Sequence, residues 1–226
     1  SSKAWRYYNF MKFIFPEKSI LKIFDDRLEL CRKFDNKVKN SKAKQIIELA
    51  CGYSLRSFEL SFKNPSSIYI DIDFDEVIKH KKKVLEQICK DETINFPKNY
   101  HLISADVLND ELYNKLKGIL SRRSTLILAE GLTSYFDNLQ YYQFLNNVKG
   151  VLNKYPYVEF FSHEQIRKQR SASYKLLRSI ITLMTHNSSY QKFKSQEDME
   201  KYLKSLNMPK CKIELENNQM FYSILN

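Results

Sequence analysis

Glycine is scarce in this chain, with four in 226 residues. Only Gly52 lies in the loop that follows the first apolar run, in "IIELACGYS". A pyrophosphate-binding loop here would need glycines at positions 50, 52 and 55, but the sequence has Ala50, Gly52 and Leu55. The Gly-Lys-Ser/Thr triplet of triphosphate-binding loops is also absent. These absences argue against dinucleotide and triphosphate ligands.

Long apolar runs and cysteine clusters are absent as well. No stretch reaches the ~18 consecutive apolar residues of a membrane span, and no signal-peptide pattern opens the given sequence. The four cysteines form no C-x-x-C pair and no metal-ligand cluster with histidine. We therefore expect reduced thiols, no metal site, no transmembrane segment and a cytoplasmic location.

Basic residues outnumber acidic ones, and the net charge is +11. Such an excess can indicate a nucleic-acid partner, because clustered Lys and Arg displace counterions from phosphates. Here the dense basic runs are confined to residues 79–83 and 167–170, and the remaining charge is spread along the chain. We do not expect a nucleic-acid partner, although the same field slightly favours anionic substrates.

The length fits one domain, so we predict that residues 1–226 form a single domain. An N-terminal helical segment is predicted over residues 3–40, where "ILKIFDDRLELCRKF" has apolar residues at helical spacing. Pro16 separates this stretch from "AWRYYNFMKFIF". A second helical segment is predicted over residues 164–194, as an insertion before the last helix.

Residues 46–163 alternate short apolar runs with amphipathic helices, which is typical of parallel strands joined by crossover helices. The predicted strands are "QIIELA", "SIYIDID", "YHLISAD", "STLILAEG" and "YVEFFSHE". The clearest helices are "DEVIKHKKKVLEQICK" and "DNLQYYQFLNNVKGVLNKY". In the second, Asp137 and Gln140 have the spacing of a capping box.

The end of the chain has a different pattern. Ser195 and Asp198 predict the start of a last helix, "SQEDMEKYLKSLNM". Two further strands, "KCKIELE" and "QMFYSIL", flank Asn217-Asn218, whose residues suit a tight hairpin. The sequence therefore predicts an α/β fold with a mostly parallel seven-stranded sheet that ends in an antiparallel hairpin.

Acidic residues lie at the ends of three consecutive predicted strands. They are Asp71 and Asp73 at the end of the second strand, Asp106 at the end of the third and Glu130 at the end of the fourth. Each acid alone could be a helix cap or a solvated loop end, but ligands bind at the carboxyl ends of parallel strands. Asp73 would accept hydrogen bonds from ribose hydroxyls, and Asp106, next to Val107, would accept one from an adenine amino group. The pattern favours a nucleoside ligand without phosphates.

The motifs "ELACG", "YIDIDFDEVIKHK", "SADVL" and "LILAEGLTSYF" resemble class I S-adenosylmethionine-dependent methyltransferases. The likeness is greatest to the leucine carboxyl methyltransferase family and its polyketide-type O-methyltransferase relatives. That family carries patterns close to L-G-A-G-x-D-T-R-x-x-R-L, V-D-x-P-x-V-x-x-x-K and E-G-x-x-x-Y. The residues that match are Gly52, Arg56, Asp73, Lys81, Glu130, Gly131 and Tyr135. The residues that depart from it are Ala50 for Gly, Ser54 for Asp, Glu59 for Arg and Asp75 for Pro.

The resemblance implies a Rossmann-like class I methyltransferase fold with N-terminal helices, and S-adenosylmethionine as the cofactor. Glu48 and Gly52 would flank its methionine part, and Asp73 would hold the ribose. Asp106 and Val107 would contact the adenine. Glu130 would contact the amino-acid end of the cofactor or shape the loop.

Three residues are candidates for the transfer itself. Methyl transfer from a sulfonium chiefly needs alignment and exclusion of water, and only a hydroxyl acceptor gains from a base. Arg56 could clamp an acceptor carboxylate, or pair with Glu59 or a sheet-end acid. Tyr135 could line the acceptor pocket or pack. His163 could be a base or a strand-end hydrogen bonder.

The expected function is an S-adenosylmethionine-dependent O-methyltransferase that acts on a carboxylate or hydroxyl of a small molecule or protein terminus. The segments 3–40 and 164–194 would determine the acceptor. One alternative is an RNA methyltransferase, although the sequence lacks the N/D-P-P-Y/F type tetrapeptide of amino-group methylation. The other is an S-adenosylmethionine-binding protein that has lost catalysis, suggested by Ala50, Ser54 and Glu59. The oligomeric state is not predicted.

Overall fold

The computed structural model describes residues 17–109, 111–116, 120, 123–155, 157–165, 192–208, 210–216 and 219–225. The strands within these ranges are β1 (Gln45–Leu49), β2 (Ile68–Asp73), β3 (Tyr100–Ser104), β4 (Thr125–Ala129), β5 (Val158–Gln165), β6 (Lys210–Glu216) and β7 (Gln219–Leu225). The helices are α1 (Glu17–Asn40), α2 (Arg56–Lys63), α3 (Asp75–Asp91), α4 (Glu111–Leu116), α5 (Asn138–Leu152) and α6 (Gln196–Ser205), with a 3₁₀ turn at Thr133–Tyr135.

The strands form one sheet in the order β3-β2-β1-β4-β5-β7-β6. The first five strands pair in parallel, and β7 runs antiparallel between β5 and β6. The predicted seven-stranded sheet with a terminal hairpin is therefore confirmed. The order reverses between β1 and β4, so the loops after these two strands diverge and leave a crevice, which is where open α/β sheets bind ligands.

Buried apolar side chains hold the strand register. All five residues of β1 and of β4 are buried, which is typical of parallel strands in the middle of a sheet. Ile47, Ile70 and Ile127, from three neighbouring strands, belong to one apolar core. Phe144 of α5 packs edge-on against Phe160 of β5, with ring centroids 5.8 Å apart. This core aligns the carboxyl ends of the parallel strands.

The predicted helix starts are confirmed. Asp137 and Gln140 form a reciprocal capping box at the start of α5, through hydrogen bonds of 2.8 and 3.0 Å. The Ser195 hydroxyl accepts a hydrogen bond of 3.2 Å from the backbone N–H of Asp198 at the start of α6. In the hairpin, Glu216 pairs with Gln219, and the Asn217-Asn218 turn lies outside the described residues.

The chain divides into two compact units. One contains α1 up to Lys39, and the other contains every described residue from Asn40 onward. The N-terminal helix is confirmed over Glu17–Asn40, whereas residues 3–16 and 166–191 lie outside the described residues, so the predicted helices there and the single-domain prediction remain predictions. Among the helices that the structure describes, none is long and apolar enough to span a bilayer.

We expect Ala50→Gly to stabilise the protein. Ala50 has a φ of 51°, in the left-handed region that costs a non-glycine residue about 1–2 kcal/mol. Relief of this strain, partly offset by the greater freedom of glycine in the unfolded chain, should raise the free energy of unfolding by about 1 kcal/mol. Thermal unfolding should show an increase in Tm of about 2–4 °C.

The control is Ala105→Gly, directly after β3. Ala105 is not among the described residues with positive φ, so glycine there should lower the free energy of unfolding by ~0.5–1 kcal/mol. Shifts of the same sign in both variants would contradict the assignment of strain to Ala50.

Candidate functional site

The strand order brings the predicted acids to one edge of the sheet. Glu48 of β1 lies beside Asp71 of β2 in the parallel register. Asp73 is the last residue of β2, Glu130 directly follows β4 and Asp106 follows β3 by two residues. Because β1 lies between β2 and β4, its loop is flanked by acids from both neighbouring strands.

Arg56, the first residue of α2, connects the two strands on either side of the crevice. Its Nη1 donates a hydrogen bond to Glu48 Oε1, and its Nη2 donates one of 2.7 Å to Glu130 Oε2. All three side chains are at most one-tenth exposed. Arg56 therefore pairs with sheet-end acids, which is one of the roles predicted for it.

Glu48 lies at the centre of this arrangement and is buried. Its Oε2 accepts hydrogen bonds from the hydroxyls of Ser57, at 3.2 Å, and Ser54, at 3.4 Å. Burial raises the pKa of Glu48 to about 7, and the nearby Asp71 adds to this rise, whereas Arg56 opposes it. Burial thus opposes ionisation of Glu48, and the donors from Arg56, Ser54 and Ser57 favour it.

Asp71 is a buried acid that stabilises the fold. It is 0% exposed, and its Oδ2 accepts hydrogen bonds from Lys81 Nζ, at 2.7 Å, and from the Tyr100 hydroxyl, at 2.6 Å. Lys81 is itself buried on α3. Burial alone would lower the pKa of Lys81, but the charge of Asp71 and its neighbours outweighs it and raises that pKa. Asp71 thus ties α3 and β3 to β2.

We expect Asp71→Ala to destabilise the protein strongly. The substitution leaves the Lys81 ammonium buried without its carboxylate, which typically costs about 3–5 kcal/mol. Urea denaturation should show this loss in the free energy of unfolding, and Asp71→Ala/Lys81→Met should recover part of it. The matched control is Asp75→Ala, which removes an exposed ion pair with Lys79 and should change the free energy of unfolding very little. Equal losses in the two single variants would contradict the structural role of Asp71.

Asp73 lies two residues further along the same strand and is half-buried. Its Oδ2 accepts a hydrogen bond of 2.7 Å from the N–H of Gly52, and its Oδ1 accepts one of 2.8 Å from the N–H of Phe74. Gly52 has a φ of +51°, and a Cβ placed on it would meet no atom within 4 Å. The first loop therefore presents open backbone directly beside a carboxylate.

Hydrogen bonds to polar groups of the loop after β3 stabilise the conformation of that loop. Asp106 Oδ1 accepts a hydrogen bond of 2.9 Å from the N–H of Leu108. The Val107 side chain packs in the apolar core, and Asn147 of α5 donates a hydrogen bond of 3.0 Å to its carbonyl oxygen. Asp106 thus holds a turn, and its Oδ2 is the oxygen available for a further contact.

The two remaining candidates differ in exposure. Tyr135 is 52% exposed at the end of the 3₁₀ turn that follows Glu130 and Gly131. His163 is 4% exposed inside β5, and its ring stacks on Phe221 of β7. Within the described ranges, no group of acids, histidines and cysteines is arranged to hold a metal ion.

A buried ion pair near the end of β5 was missed from the sequence. Glu164 lies 3.9 Å from Lys192 Nζ, which also donates a hydrogen bond of 2.6 Å to the carbonyl oxygen of Thr133. Lys192 lies over the Tyr141 ring, 4.8 Å from its centroid. Burial raises the pKa of Glu164 to about 7, although Lys192 opposes the rise. An acid at the end of a predicted strand was the only signal, because its partner is 28 residues away.

Comparison with known proteins places this geometry in context. A sequence profile of the leucine carboxyl methyltransferase family matches residues 19–149, more than half of the chain. An S-adenosyl-L-methionine-dependent methyltransferase, dpfgK of Gibberella zeae, is 29% identical over 97 residues. That match covers 43% of this chain and only 30% of the relative.

Solved structures share the fold at low identity. A methyltransferase structure from Thermobifida fusca has a TM-score of 0.64 at 14% identity, and the match covers 90% of this chain and 80% of that one. An O-methyltransferase family protein from Burkholderia thailandensis has a TM-score of 0.60 at 9% identity, covering 89% and 57%. Human N-acetylserotonin methyltransferase, crystallised with S-adenosylmethionine, has a TM-score of 0.53 at 12% identity, covering 81% and 48%. These matches confirm the predicted Rossmann-like methyltransferase fold.

Proposed function

The chain belongs to the leucine carboxyl methyltransferase family, and from this premise we propose that it binds S-adenosylmethionine at the crevice between β1 and β4 and methylates an oxygen. The observation that carries the proposal is the pairing of Asp73 with the N–H of Gly52, beside open loop backbone. This arrangement suits a ribose next to a close backbone approach, and it offers no cradle for phosphates.

The residues present fit this cofactor. Bound S-adenosylmethionine supplies an activated methyl group on its sulfonium. Asp73 keeps lone pairs beyond its two backbone hydrogen bonds, so it can accept hydrogen bonds from ribose hydroxyls. Asp106 would accept one from the adenine amino group through Oδ2, and Val107 would contribute its backbone. Gly52, Glu48 and Glu130 would line the methionine side of the site.

The acceptor is proposed to be a carboxylate or hydroxyl of a small molecule or a protein terminus. Arg56 already binds two carboxylates, so we assign it to positioning Glu48 and Glu130 and assign acceptor contact to the exposed Tyr135. A carboxylate acceptor is ionised at neutral pH and needs no base, whereas His163 would serve a hydroxyl acceptor. A cytoplasmic location remains a prediction.

A binding protein without catalysis is the second candidate. The replacement of family residues at Ala50, Ser54 and Glu59 suggests it. Ser54 nevertheless donates a hydrogen bond to Glu48, so this departure still serves the site. A methyl-release assay with carboxylates, phenols and RNA separates the candidates, because a binding protein would release no methyl group to any of them.

We expect S-adenosylmethionine and S-adenosylhomocysteine to raise the Tm of the protein, and NAD and ATP to leave it unchanged. A ligand at ~100 times its Kd stabilises the folded state by about 2.7 kcal/mol. The nucleotides should not bind, because the first loop lacks their phosphate-binding glycines. Differential scanning fluorimetry measures the shifts, and stabilisation by NAD alone would overturn the assignment.

We expect Asp73→Ala to weaken S-adenosylmethionine binding about thirtyfold or more, as loss of roughly 2 kcal/mol of charge-assisted hydrogen bonding predicts. Isothermal titration calorimetry measures the affinity. Asp75→Ala, an exposed acid at the start of α3, is the control and should bind normally. Wild-type affinity in Asp73→Ala would show that the ribose does not lie at the end of β2.

A further inference from the structure

We propose that Lys192 is a positioning residue for methyl transfer, and that together with Glu164 it holds the loop after β4 in the place that the acceptor needs. This loop, residues 130–137, is called the β4 loop, and it carries Tyr135, the residue proposed to contact the acceptor. The inference rests on the proposed function, because it assumes that acceptor and cofactor meet at this edge of the sheet.

The first observation is that Thr133 joins the β4 loop to two other parts of the chain. Its carbonyl oxygen accepts a hydrogen bond of 2.6 Å from Lys192 Nζ, and its hydroxyl donates one of 2.9 Å to the carbonyl oxygen of His163 in β5. The same Thr133 carbonyl accepts a hydrogen bond from the N–H of Phe136, which closes the 3₁₀ turn. The position of Thr133 therefore sets the position of this turn, whose last residue is Tyr135.

The second observation is that the ammonium group of Lys192 is enclosed. The Lys192 side chain is 3% exposed and that of Glu164 is 0% exposed. Glu164 Oε2 lies 3.9 Å from Lys192 Nζ, beyond hydrogen-bonding distance, so charge holds the two side chains together. Nζ also lies 4.8 Å from the centroid of the Tyr141 ring of α5. Contacts from β5, α5 and the β4 loop therefore fix this ammonium group against Thr133.

Stability of the fold and placement of the β4 loop can be separated by experiment. Apolar residues of similar volume often stabilise a protein as well as a buried ion pair does. An apolar side chain at position 192 cannot donate a hydrogen bond to the Thr133 carbonyl, however, so it cannot replace Lys192 in holding the turn. Methyl transfer needs acceptor and sulfonium in line, and a misplacement of about 1 Å can lower the rate ~100-fold.

The test compares Lys192→Met and the double variant Glu164→Gln/Lys192→Met with the wild-type full chain. Lys192→Met leaves the Glu164 carboxylate buried without its cation, so the Tm should fall. The double variant removes both charges and should recover most of the lost Tm. The measurements are made at about pH 8, above the pKa of about 7 to which burial raises Glu164, so that its carboxyl is ionised in the wild type.

Three readouts on the double variant separate positioning from stability. With saturating S-adenosylmethionine, kcat should fall about tenfold or more on the carboxylate or phenol of the methyl-release assay that the wild type methylates fastest. Isothermal titration calorimetry should give the wild-type affinity for S-adenosylhomocysteine, because the pair does not hold Asp73. Hydrogen exchange followed by mass spectrometry should be faster at residues 131–136 and unchanged at residues 68–73 of β2.

The matched control is Lys149→Met. Lys149 Nζ donates a hydrogen bond of 2.7 Å to the carbonyl oxygen of Leu206, so this variant also removes a bond from a lysine to a backbone carbonyl. Lys149 is in the last turn of α5, roughly 16 Å along the helix from Asn138, which follows the β4 loop. The variant should keep the wild-type kcat and the wild-type exchange at residues 131–136.

The outcomes are distinct. A double variant with wild-type kcat and wild-type exchange at residues 131–136 overturns the role of Lys192 and leaves the proposed function standing. A double variant that loses kcat and S-adenosylhomocysteine affinity together, or whose Tm stays as low as that of Lys192→Met, overturns it as well, because the pair would then act on the fold as a whole. A wild type that methylates no compound in the assay overturns the proposed function, and this inference with it.

Discussion

The bridge from Arg56 to Glu48 and Glu130 is the interaction on which the rest of the site depends. β1 and β4 are adjacent, but their following loops run in opposite directions, and the crevice between them needs a connection that the sheet hydrogen bonds do not supply. A guanidinium can bind two carboxylates at once with fixed geometry. Because the three side chains are nearly buried, loss of Arg56 would remove the guanidinium that binds both carboxylates, so the bridge constrains both loops together.

The two acids of β2, Asp71 and Asp73, have different roles because they lie at different depths along the strand. Asp71 and Asp73 point to the same face of β2, since strand side chains alternate. The deeper Asp71 is completely enclosed and holds Lys81 and Tyr100. Asp73 lies where the strand ends, and it holds the backbone of the first loop. One carboxylate therefore stabilises the fold, and the other is left beside open space.

The departures from the family pattern are accommodated by the first loop in different ways. Ala50 adopts the left-handed conformation that glycine adopts at lower cost. The backbone of the loop can therefore take the same path with alanine at this position as with glycine. Ser54 substitutes a hydroxyl for a carboxylate, and it donates to Glu48 instead of adding a further negative charge to a buried cluster. Glu59 is exposed on α2, so the change from arginine falls outside the buried network.

Local patterns in the sequence determined the helices and strands and the acids at the carboxyl ends of the parallel strands. Strand β2, predicted over residues 67–73, spans Ile68–Asp73, and the capping box at Asp137 is present, because apolar periodicity and capping involve residues close in the chain. The tertiary structure alone decided which charges meet. Arg56 reaches Glu130, 74 residues away, and Lys192 reaches Glu164, 28 residues away. Such pairs depend on which strands lie next to each other in the sheet, and no local sequence pattern encodes this strand order.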